Sequence, residues 1–504
     1  MCVSPTDLTF PCFLDGFIQE SNTVFEDNAG MTHMVFKGKL AAHDTDSICP
    51  VCAHRMTVHD HTKTTLSHIP MGSVLTAIEV SYTVYYCPHC HSHHRKSHYN
   101  QPIPFKANGH RVTKELLYHV QKLLSMCTLT LKDIAAITGL SQNTVRNIDS
   151  ERLKALYTED GKGKKLKRPT RQAKYIGIDE FLLHEGHHYA THVTDLETGE
   201  VLWIEESKKK DVVYHFIDHV GIAWMMGVEA VACDMNAHFA AAFLERCPWI
   251  QIVYDFFHIV KNLGDKLINP VRRDELSRLM SEGKEEEARS LVGSRYILLA
   301  ARETLQKWDA PHDDRKHSNK RSLFHQHRMS RKKRGFEAWY DRILRENQLL
   351  FTVDIIKEEL RMAYRMTNRH QMAIEIAHII NLCVSTENIH FEWFAQFLKS
   401  HIKGILSHTE HPISTGRIEG INNRIKTLRR QGYGYQNTEY FFLKIIDISN
   451  HVSTRFPPTP ENWYCPFVNA GNRGQLRVYY AMLLLYQRKV DTTRCRLPTI
   501  MALS

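Results

Sequence analysis

The sequence predicts a multidomain α/β protein, and three observations support that fold class. Between Tyr175 and Lys261, short apolar runs typical of strands alternate with helical patterns, which indicates a sheet layer packed against helices. Between about Asn269 and Glu410 the sequence shows only helical patterns, which indicates an all-α unit. The chain has 504 residues, which is enough for three or four domains of roughly 100–200 residues each.

The composition is that of a globular protein with a modest excess of positive charge. Hydrophobic residues make up 43% and charged residues 24%, and 65 Lys+Arg against 55 Asp+Glu give a formal charge of +10. The apolar fraction, the modest glycine and proline counts and the absence of sustained repeats exclude collagen-like, coiled-coil and wholly disordered chains. No apolar run reaches the roughly 18–20 residues of a membrane span, and the first residues lack a signal-peptide pattern. Twelve cysteines are too few for a disulfide scaffold, so we expect a reducing, cytoplasmic setting.

Composition shifts divide the chain into consecutive segments. The predicted segments are 1–44 (N-terminal), 45–104 (rich in cysteine and histidine), 105–160 (helical), 161–174 (basic linker), 175–268 (α/β core, first part), 269–410 (all-α), 411–452 (last helix of the core) and 453–504 (C-terminal extension of unknown role). Two stretches without acids, Lys162–Lys174 and Arg315–Arg334, concentrate the positive charge. Such stretches indicate either contact with a polyanion or simply solvated surface.

Two C-x-x-C pairs predict a structural zinc site. Their cysteines are Cys49, Cys52, Cys87 and Cys90. Four thiolates suit tetrahedral Zn²⁺ and leave no open position for catalysis, and the alternating residues between the pairs predict the hairpins of a zinc ribbon. Four cysteines paired by chance are the alternative. Histidines near the second pair could replace a ligand or lie in solvent: His89, His91, His93 and His94.

The stretch from Leu129 to Ile148 predicts a helix-turn-helix. Gly139 provides a turn, and Ser141 is a good cap for the second helix. The apolar spacing leaves a polar outward face on that helix, suited to base edges and phosphates in a major groove. The residues of this face are Gln142, Asn143, Arg146 and Asn147. An ordinary helical hairpin is the alternative, and the neighbouring cysteine pairs and basic linker favour DNA.

Three carboxylates predict a magnesium site. Asp179 and Asp234 each end an apolar strand-like run, and carboxyl ends of neighbouring parallel strands converge on one crevice. Glu419 lies on an amphipathic helix beside the apolar stripe that begins at Ile418. Oxygen ligands of this kind suit two Mg²⁺ ions, which assist in-line phosphoryl displacement. Taken one by one, these acids would be turn, cap or solvated surface residues.

The order of these motifs resembles the ISL3-family bacterial insertion-sequence transposases. The resemblance covers about Asp44 to Asn450 and is most specific in the segments VYDFFHIVKNL and STGRIEGINNRIKTLRRQGYGYQN. It implies an RNase H-like catalytic core interrupted by the all-α insertion, preceded by a zinc ribbon and a helix-turn-helix domain. Asp179, Asp234 and Glu419 match the family's acidic DDE triad. Ile418 replaces an expected valine, which is a conservative change.

The resemblance also implies partners, cofactors and a second motif. The family's D-x-x-H element falls on Asp255 and His258, which we expect beside the site without a chemical role, and helix capping by Asp255 is the alternative. The implied protein is a bacterial, cytoplasmic and nucleoid-associated DDE transposase. It would bind terminal inverted repeats and target DNA as a homodimer or higher oligomer. It would cleave and join strands with two Mg²⁺, for which Mn²⁺ can substitute, and with structural Zn²⁺.

Two other functions are compatible with the same sequence. One is a non-enzymatic DNA-binding regulator, such as a domesticated transposase, which would be free to lose the acidic triad. The other is an RNase H-like nuclease that cleaves strands without joining them.

Overall fold

The computed structural model of the protein describes residues 14–184, 188–235, 237–309, 335–432 and 434–450. The chain forms two compact units: unit 1 comprises residues 1–167 and 429–504, and unit 2 comprises residues 168–428. The basic stretch Arg315–Arg334 and the C-terminal extension 453–504 lie outside the described residues. Within the described ranges, none of the helices is both long enough and apolar enough to cross a membrane.

Unit 1 begins with a five-stranded sheet. Its strands are β1 (Phe17–Glu26), β2 (Thr32–Leu40), β3 (Thr57–Met71), β4 (Val74–Tyr86) and β5 (His98–Asn100), in the order β1-β2-β4-β3 with β5 paired to β4. A short helix, α1 (Pro88–Ser92), carries the second cysteine pair between β4 and β5. The N-terminal segment predicted as 1–44 supplies β1 and β2 to the same sheet as the cysteine-rich segment. Strand β2 of this segment buries alternate residues, among them Met34 and Phe36.

Three helices follow the sheet within unit 1. They are α2 (Lys114–Ser125), α3 (Leu131–Thr138) and α4 (Gln142–Tyr157). Thr113, Thr130 and Ser141 cap their N-termini with side-chain hydrogen bonds. Gly139 ends α3 in the left-handed region at φ 71°, where glycine is favoured. Helix pairs of this kind bury one apolar face each, here through Val120, Ile134, Val145 and Ile148.

A mixed five-stranded sheet forms the centre of unit 2. Its strands are β6 (Tyr175–His184), β7 (His188–Asp195), β8 (Val201–Glu205), β9 (Ala230–Cys233) and β10 (Gln251–Tyr254), in the order β10-β9-β6-β7-β8. The pairs β10–β9 and β9–β6 are parallel, whereas β6–β7 and β7–β8 are antiparallel. Four helices connect these strands or follow them: α5 (Asp211–Val220), α6 (Ile222–Met225), α7 (Ala237–Arg246) and α8 (Phe256–Asn262). The predicted mixture of strands and helices is therefore confirmed.

Helices make up the remaining described part of unit 2, as the sequence predicts. After a π-helical turn (Leu263–Ile268) they are α9 (Asn269–Ser281), α10 (Glu285–Leu291), α11 (Arg295–Leu299), α12 (Arg302–Asp309), α13 (Phe336–Glu346), α14 (Gln348–Ala363), α15 (Arg369–Ser385) and α16 (Ile389–Leu406). The helix α17 (Gly416–Gln431) carries Glu419 and passes from unit 2 into unit 1. It buries the predicted stripe of Ile418, Ile421, Ile425 and Leu428.

Unit 1 ends with the helix α18 (Thr438–Asn450), which packs against α4 around a buried charge cluster. Arg152 of α4 donates hydrogen bonds to Asp149 at 2.8 Å and to Asp447 at 2.6 Å. Lys444 lies 3.0 Å from Asp149, and the Tyr440 hydroxyl donates to the same carboxylate at 2.7 Å. Two cations thus neutralise two buried anions, which is the condition for charges to be stable away from water.

Candidate functional site

Three aspartates lie together at one edge of the unit 2 sheet because parallel strands are in register there. Ile178 of β6 pairs with Cys233 of β9, and Cys233 pairs with Tyr254 of β10. The residue after each of these positions is Asp179, Asp234 or Asp255. Three neighbouring strands therefore bring a carboxylate to the same edge. The predicted pair Asp179 and Asp234 lies on directly adjacent strands.

Asp234 forms an ion pair with His258, which lies in the first turn of α8. His258 Nδ1 is 3.2 Å from Asp234 Oδ1, and the Asp234 side chain is 49% exposed. The hydrogen bond to Asp234 raises the pKa of His258, and the hydrogen bond to His258 lowers the pKa of Asp234. His258 therefore contacts one of the three predicted acids directly. The sequence predicts that His258 lies beside the site but does not predict its contact with Asp234.

Asp255 connects the edge to the beginning of α17. Its Oδ2 accepts hydrogen bonds from the Thr415 hydroxyl and from the Thr415 backbone N–H, the latter at 3.2 Å. Asp255 also precedes α8, but its side chain makes no capping hydrogen bond to that helix. Asp255 is therefore the N-cap residue of α8 by position, while its carboxylate fixes Thr415, the residue before the Glu419 helix.

Glu419 is exposed in the first turn of α17, and its neighbours hold that helix against the sheet. Ile418 packs so closely over Gly177 that a Cβ atom at position 177 would lie 2.3 Å from Ile418 Cδ1. Asn422, one turn after Glu419, donates a hydrogen bond to Asp179 Oδ2 at 2.6 Å. Residues three apart are neighbours on a helix surface, so Glu419 belongs to the region next to Asp179. The structure joins Glu419 to Asp179 through Asn422 rather than by direct contact.

Among the residues that the structure describes, no lysine or arginine forms an ion pair with the carboxylates at this edge. Among the ion pairs formed by described residues, none joins Asp179, Asp234, Asp255 or Glu419 to a lysine or arginine, and His258 is the cationic partner that is present. Oxygen donors with uncompensated negative charge are what Mg²⁺ prefers. The donor set therefore fits divalent cations.

The four predicted cysteines come together in unit 1. Their Sγ atoms all lie within 4.8 Å of one another. The separations are 3.6 Å for Cys49–Cys90 and 3.5 Å for both Cys52–Cys87 and Cys52–Cys90. A tetrahedron with Zn–S bonds of about 2.3 Å has S···S distances of about 3.8 Å. The four sulfur atoms therefore form one compact cluster whose spacing fits zinc.

The predicted DNA-reading residues share one exposed surface of α4. Gln142, Asn143, Arg146 and Asn147 are all exposed, whereas Val145 and Ile148 of the same helix are buried. The Arg146 guanidinium also lies 5.9 Å from the centre of the Tyr440 ring of α18. This polar surface is free to meet a ligand, although the geometry alone does not identify that ligand as DNA.

Comparison with known proteins identifies the family. A family model described as an ISL3 transposase of the DDE type matches residues 176–445, which is more than half of the chain. This chain belongs to the ISL3 transposase family. It is 28% identical over 400 residues to the transposase for insertion sequence element IS1001 from Bordetella parapertussis, covering 79% of this chain and 87% of the relative. It is also 24% identical over 299 residues to the transposase for insertion sequence element IS1557 from Mycobacterium tuberculosis strain CDC 1551 / Oshkosh, covering 55% of this chain and 61% of the relative.

The family match locates the acids of this ISL3 transposase within a shared region. Asp179, Asp234, Asp255 and Glu419 all lie inside residues 176–445, whereas the four cysteines and α4 lie outside. His192 of β7, Thr415 and Asn422 are not among the site residues predicted from the sequence. The histidine within the alternating strand pattern of residues 189–195 is the sequence signal that could have identified His192.

Proposed function

We propose that this ISL3-family protein is a DDE transposase that cuts its insertion sequence at the ends and joins those ends to target DNA. The observation that carries the proposal is the register of Asp179 and Asp234 on adjacent parallel strands, with the Glu419 helix attached to Asp179 through Asn422. The relatives named as insertion-sequence transposases support the same reaction class. In this account the unit 2 sheet is an RNase H-like core that the all-α segment interrupts.

Asp179, Asp234 and Glu419 would hold two Mg²⁺ ions, with Mn²⁺ able to substitute. Bound at such a site, these ions lower the pKa of the attacking water or hydroxyl and stabilise the leaving oxygen. Water adds to phosphorus at an element end, and the 3′ oxygen leaves as a free hydroxyl. That hydroxyl then attacks a target phosphodiester, whose own 3′ oxygen leaves.

The protein's own side chains position this reaction. Asn422 holds one oxygen of Asp179, His258 holds one oxygen of Asp234, and Asp255 fixes the start of α17 through Thr415. Preorganised charge of this kind carries most of the rate enhancement in phosphoryl transfer. Replacing one carboxylate should therefore abolish cleavage while leaving DNA affinity unchanged.

Unit 1 would supply DNA recognition. The exposed side chains of Gln142, Asn143, Arg146 and Asn147 would read the terminal inverted repeats, and the four cysteines would form a zinc ribbon. Two element ends have to meet during transposition, so we also propose a homodimer or higher oligomer, acting in the bacterial cytoplasm on nucleoid DNA. Purified protein should contain about one zinc per chain by elemental analysis. Cys87→Ser should lower that content, whereas Cys383→Ala should not.

A strand-transfer assay with a labelled element end, a target plasmid and Mg²⁺ tests the reaction. The wild type should produce joined products, and Asp234→Asn should produce neither cut nor joined strands. Asp218→Asn is the matched control, because this exposed aspartate pairs with Arg246 at the surface, where ion pairs contribute little. Cleavage without joining would identify a nuclease, and binding without cleavage would identify a regulator. Equal cleavage by Asp234→Asn and the wild type would overturn the assignment of the acids.

A further inference from the structure

A row of three uncharged side chains leads from the interior of unit 2 to Asp179. Thr194 Oγ1 lies 2.8 Å from His192 Nδ1, and His192 Nε2 lies 3.2 Å from Asn422 Oδ1. Asn422 Nδ2 lies 2.6 Å from Asp179 Oδ2. The row thus joins two residues of β7 to the helix of Glu419 and ends on the first acid of the proposed triad.

The hydrogen-bonding capacity of each group determines which atoms donate and which accept along the whole row. An ionised carboxylate only accepts, so Asn422 must present its amide NH₂ to Asp179. The Asn422 carbonyl then requires a donor, which makes His192 Nε2 the protonated nitrogen. His192 Nδ1 consequently accepts from the Thr194 hydroxyl. Burial lowers the pKa of His192, which favours the neutral ring that this arrangement needs.

The backbone explains why these residues meet. Asp179 and His192 are register partners in the antiparallel pair β6–β7, so their side chains lie on the same face of the sheet. His192 and Thr194 are both fully buried. The close packing of Ile418 over Gly177 brings α17 against this face. Asn422 therefore forms the polar link between the Glu419 helix and the strand of Asp179.

We propose that Asn422 and His192 are positioning residues that set the metal affinity of the acidic triad. This inference rests on the proposed function. Asp179 Oδ1 accepts the Glu180 N–H at 2.8 Å, so Asn422 and this N–H together fix the orientation of the carboxylate and leave a lone pair of each oxygen for a cation. The same amide holds α17 one turn from Glu419. A carboxylate that must reorient before it binds an ion binds that ion more weakly.

Mn²⁺ binding to the full-length protein, measured by electron paramagnetic resonance, tests this role. The Mn²⁺ concentration for half-maximal cleavage of a labelled element end provides the second measurement. Asn422→Ala should weaken Mn²⁺ binding and raise the required concentration by about 10- to 100-fold, as changes behind metal ligands do. Its affinity for the element end should not change. Asn423→Ala is the matched control, because Asn423 is the exposed next residue on the same helix.

His192 variants separate orientation of Asn422 from general loss of packing. His192→Gln keeps an N–H for the Asn422 carbonyl and should retain most of the Mn²⁺ affinity. His192→Leu fills the space without a donor and should reproduce the Asn422→Ala shift. If His192→Leu does not fold, His192→Gln and Asn422→Ala still decide the question. Wild-type Mn²⁺ requirements in Asn422→Ala would overturn the inference alone, whereas wild-type protein without Mn²⁺ binding would overturn the proposed function as well.

Discussion

Two groups of acidic side chains in this protein differ in their burial and in their cationic partners. In unit 1, Asp149 and Asp447 are fully buried, and Arg152 and Lys444 neutralise them. In unit 2, the acids at the edge of the sheet contact an amide, two groups of Thr415 and one histidine. The first group has its cations built into the protein. The second group has oxygens and negative charge to offer to a cation from solution.

The difference indicates which acids are structural and which are functional. Each Asp447 oxygen is hydrogen-bonded, one of them to the Tyr157 hydroxyl at 2.8 Å, and no part of this carboxylate is exposed. Asp234, in contrast, is 49% exposed. Burial with full compensation favours a role in stability, whereas partial exposure without a lysine or arginine partner favours ligand binding. The following substitutions test that distinction.

The largest effect should come from Asp179→Asn. Because charge neutralisation at the metal site carries the chemistry, cleavage should fall by about 10³- to 10⁴-fold, which corresponds to about 4–5.5 kcal/mol. The free energy of unfolding should stay the same or rise, since removing one of several neighbouring negative charges relieves repulsion. Single-turnover cleavage and urea unfolding measure the two quantities. A large loss of stability without a loss of cleavage would show that Asp179 is a structural acid and not a functional one.

Arg152→Met should show the opposite pattern. It leaves Asp149 and Asp447 with a single buried cation, so the free energy of unfolding should fall by about 3–5 kcal/mol. Arg246→Met provides the matched control at the exposed pair with Asp218, where a loss of at most about 1 kcal/mol is expected. Urea unfolding measures both variants. A difference of less than 1 kcal/mol between the two variants would show that the buried cluster is not the structural element proposed.

An intermediate effect is expected from Thr415→Val. The change removes the hydroxyl that donates a hydrogen bond to Asp255 but keeps the backbone N–H that donates to the same carboxylate, so the start of α17 is held less firmly. Cleavage should fall by about 10- to 100-fold with little change in stability. Thr427→Val is the control, because this exposed hydroxyl donates its hydrogen bond to the Asn423 carbonyl of the same helix. Equal rates for the two variants would show that Asp255 does not position the Glu419 helix.

The smallest effect concerns His68 of β3, a buried neutral group in unit 1. Its ring lies 2.8 Å from the Thr113 hydroxyl, and burial lowers its pKa from 6.5 to about 4. Below pH 6.5 the unfolded chain therefore binds a proton that the folded protein does not. Between pH 6.5 and 5.5 the free energy of unfolding should fall by about 1 kcal/mol beyond any change in His68→Leu. If the free energy of unfolding changed with pH equally in the wild type and in His68→Leu, His68 would not be the cause of the loss.

Local sequence patterns predict the elements of the site but not their contacts. The apolar strands that precede Asp179 and Asp234 can be recognised in the sequence because each pattern lies within a few consecutive residues. The same holds for the apolar stripe beside Glu419. The bond between Asp255 and Thr415 spans 160 positions, and the bond between Arg152 and Asp447 spans 295. Such pairings depend on how distant segments pack, which leaves no periodicity in the sequence. Strands β1 and β2 were missed for the same reason, because their partners determine their burial.

The claim that the open acidic edge is a metal site can be tested directly by Mn²⁺ titration of the full-length protein, followed by electron paramagnetic resonance. The wild type should bind Mn²⁺ at this edge, and Asp179→Asn, Asp234→Asn and Glu419→Gln should each weaken that binding strongly. Asp218→Asn should bind as the wild type does. If the three edge variants bind Mn²⁺ as tightly as Asp218→Asn does, the acids at this edge do not hold the metal and the account is wrong.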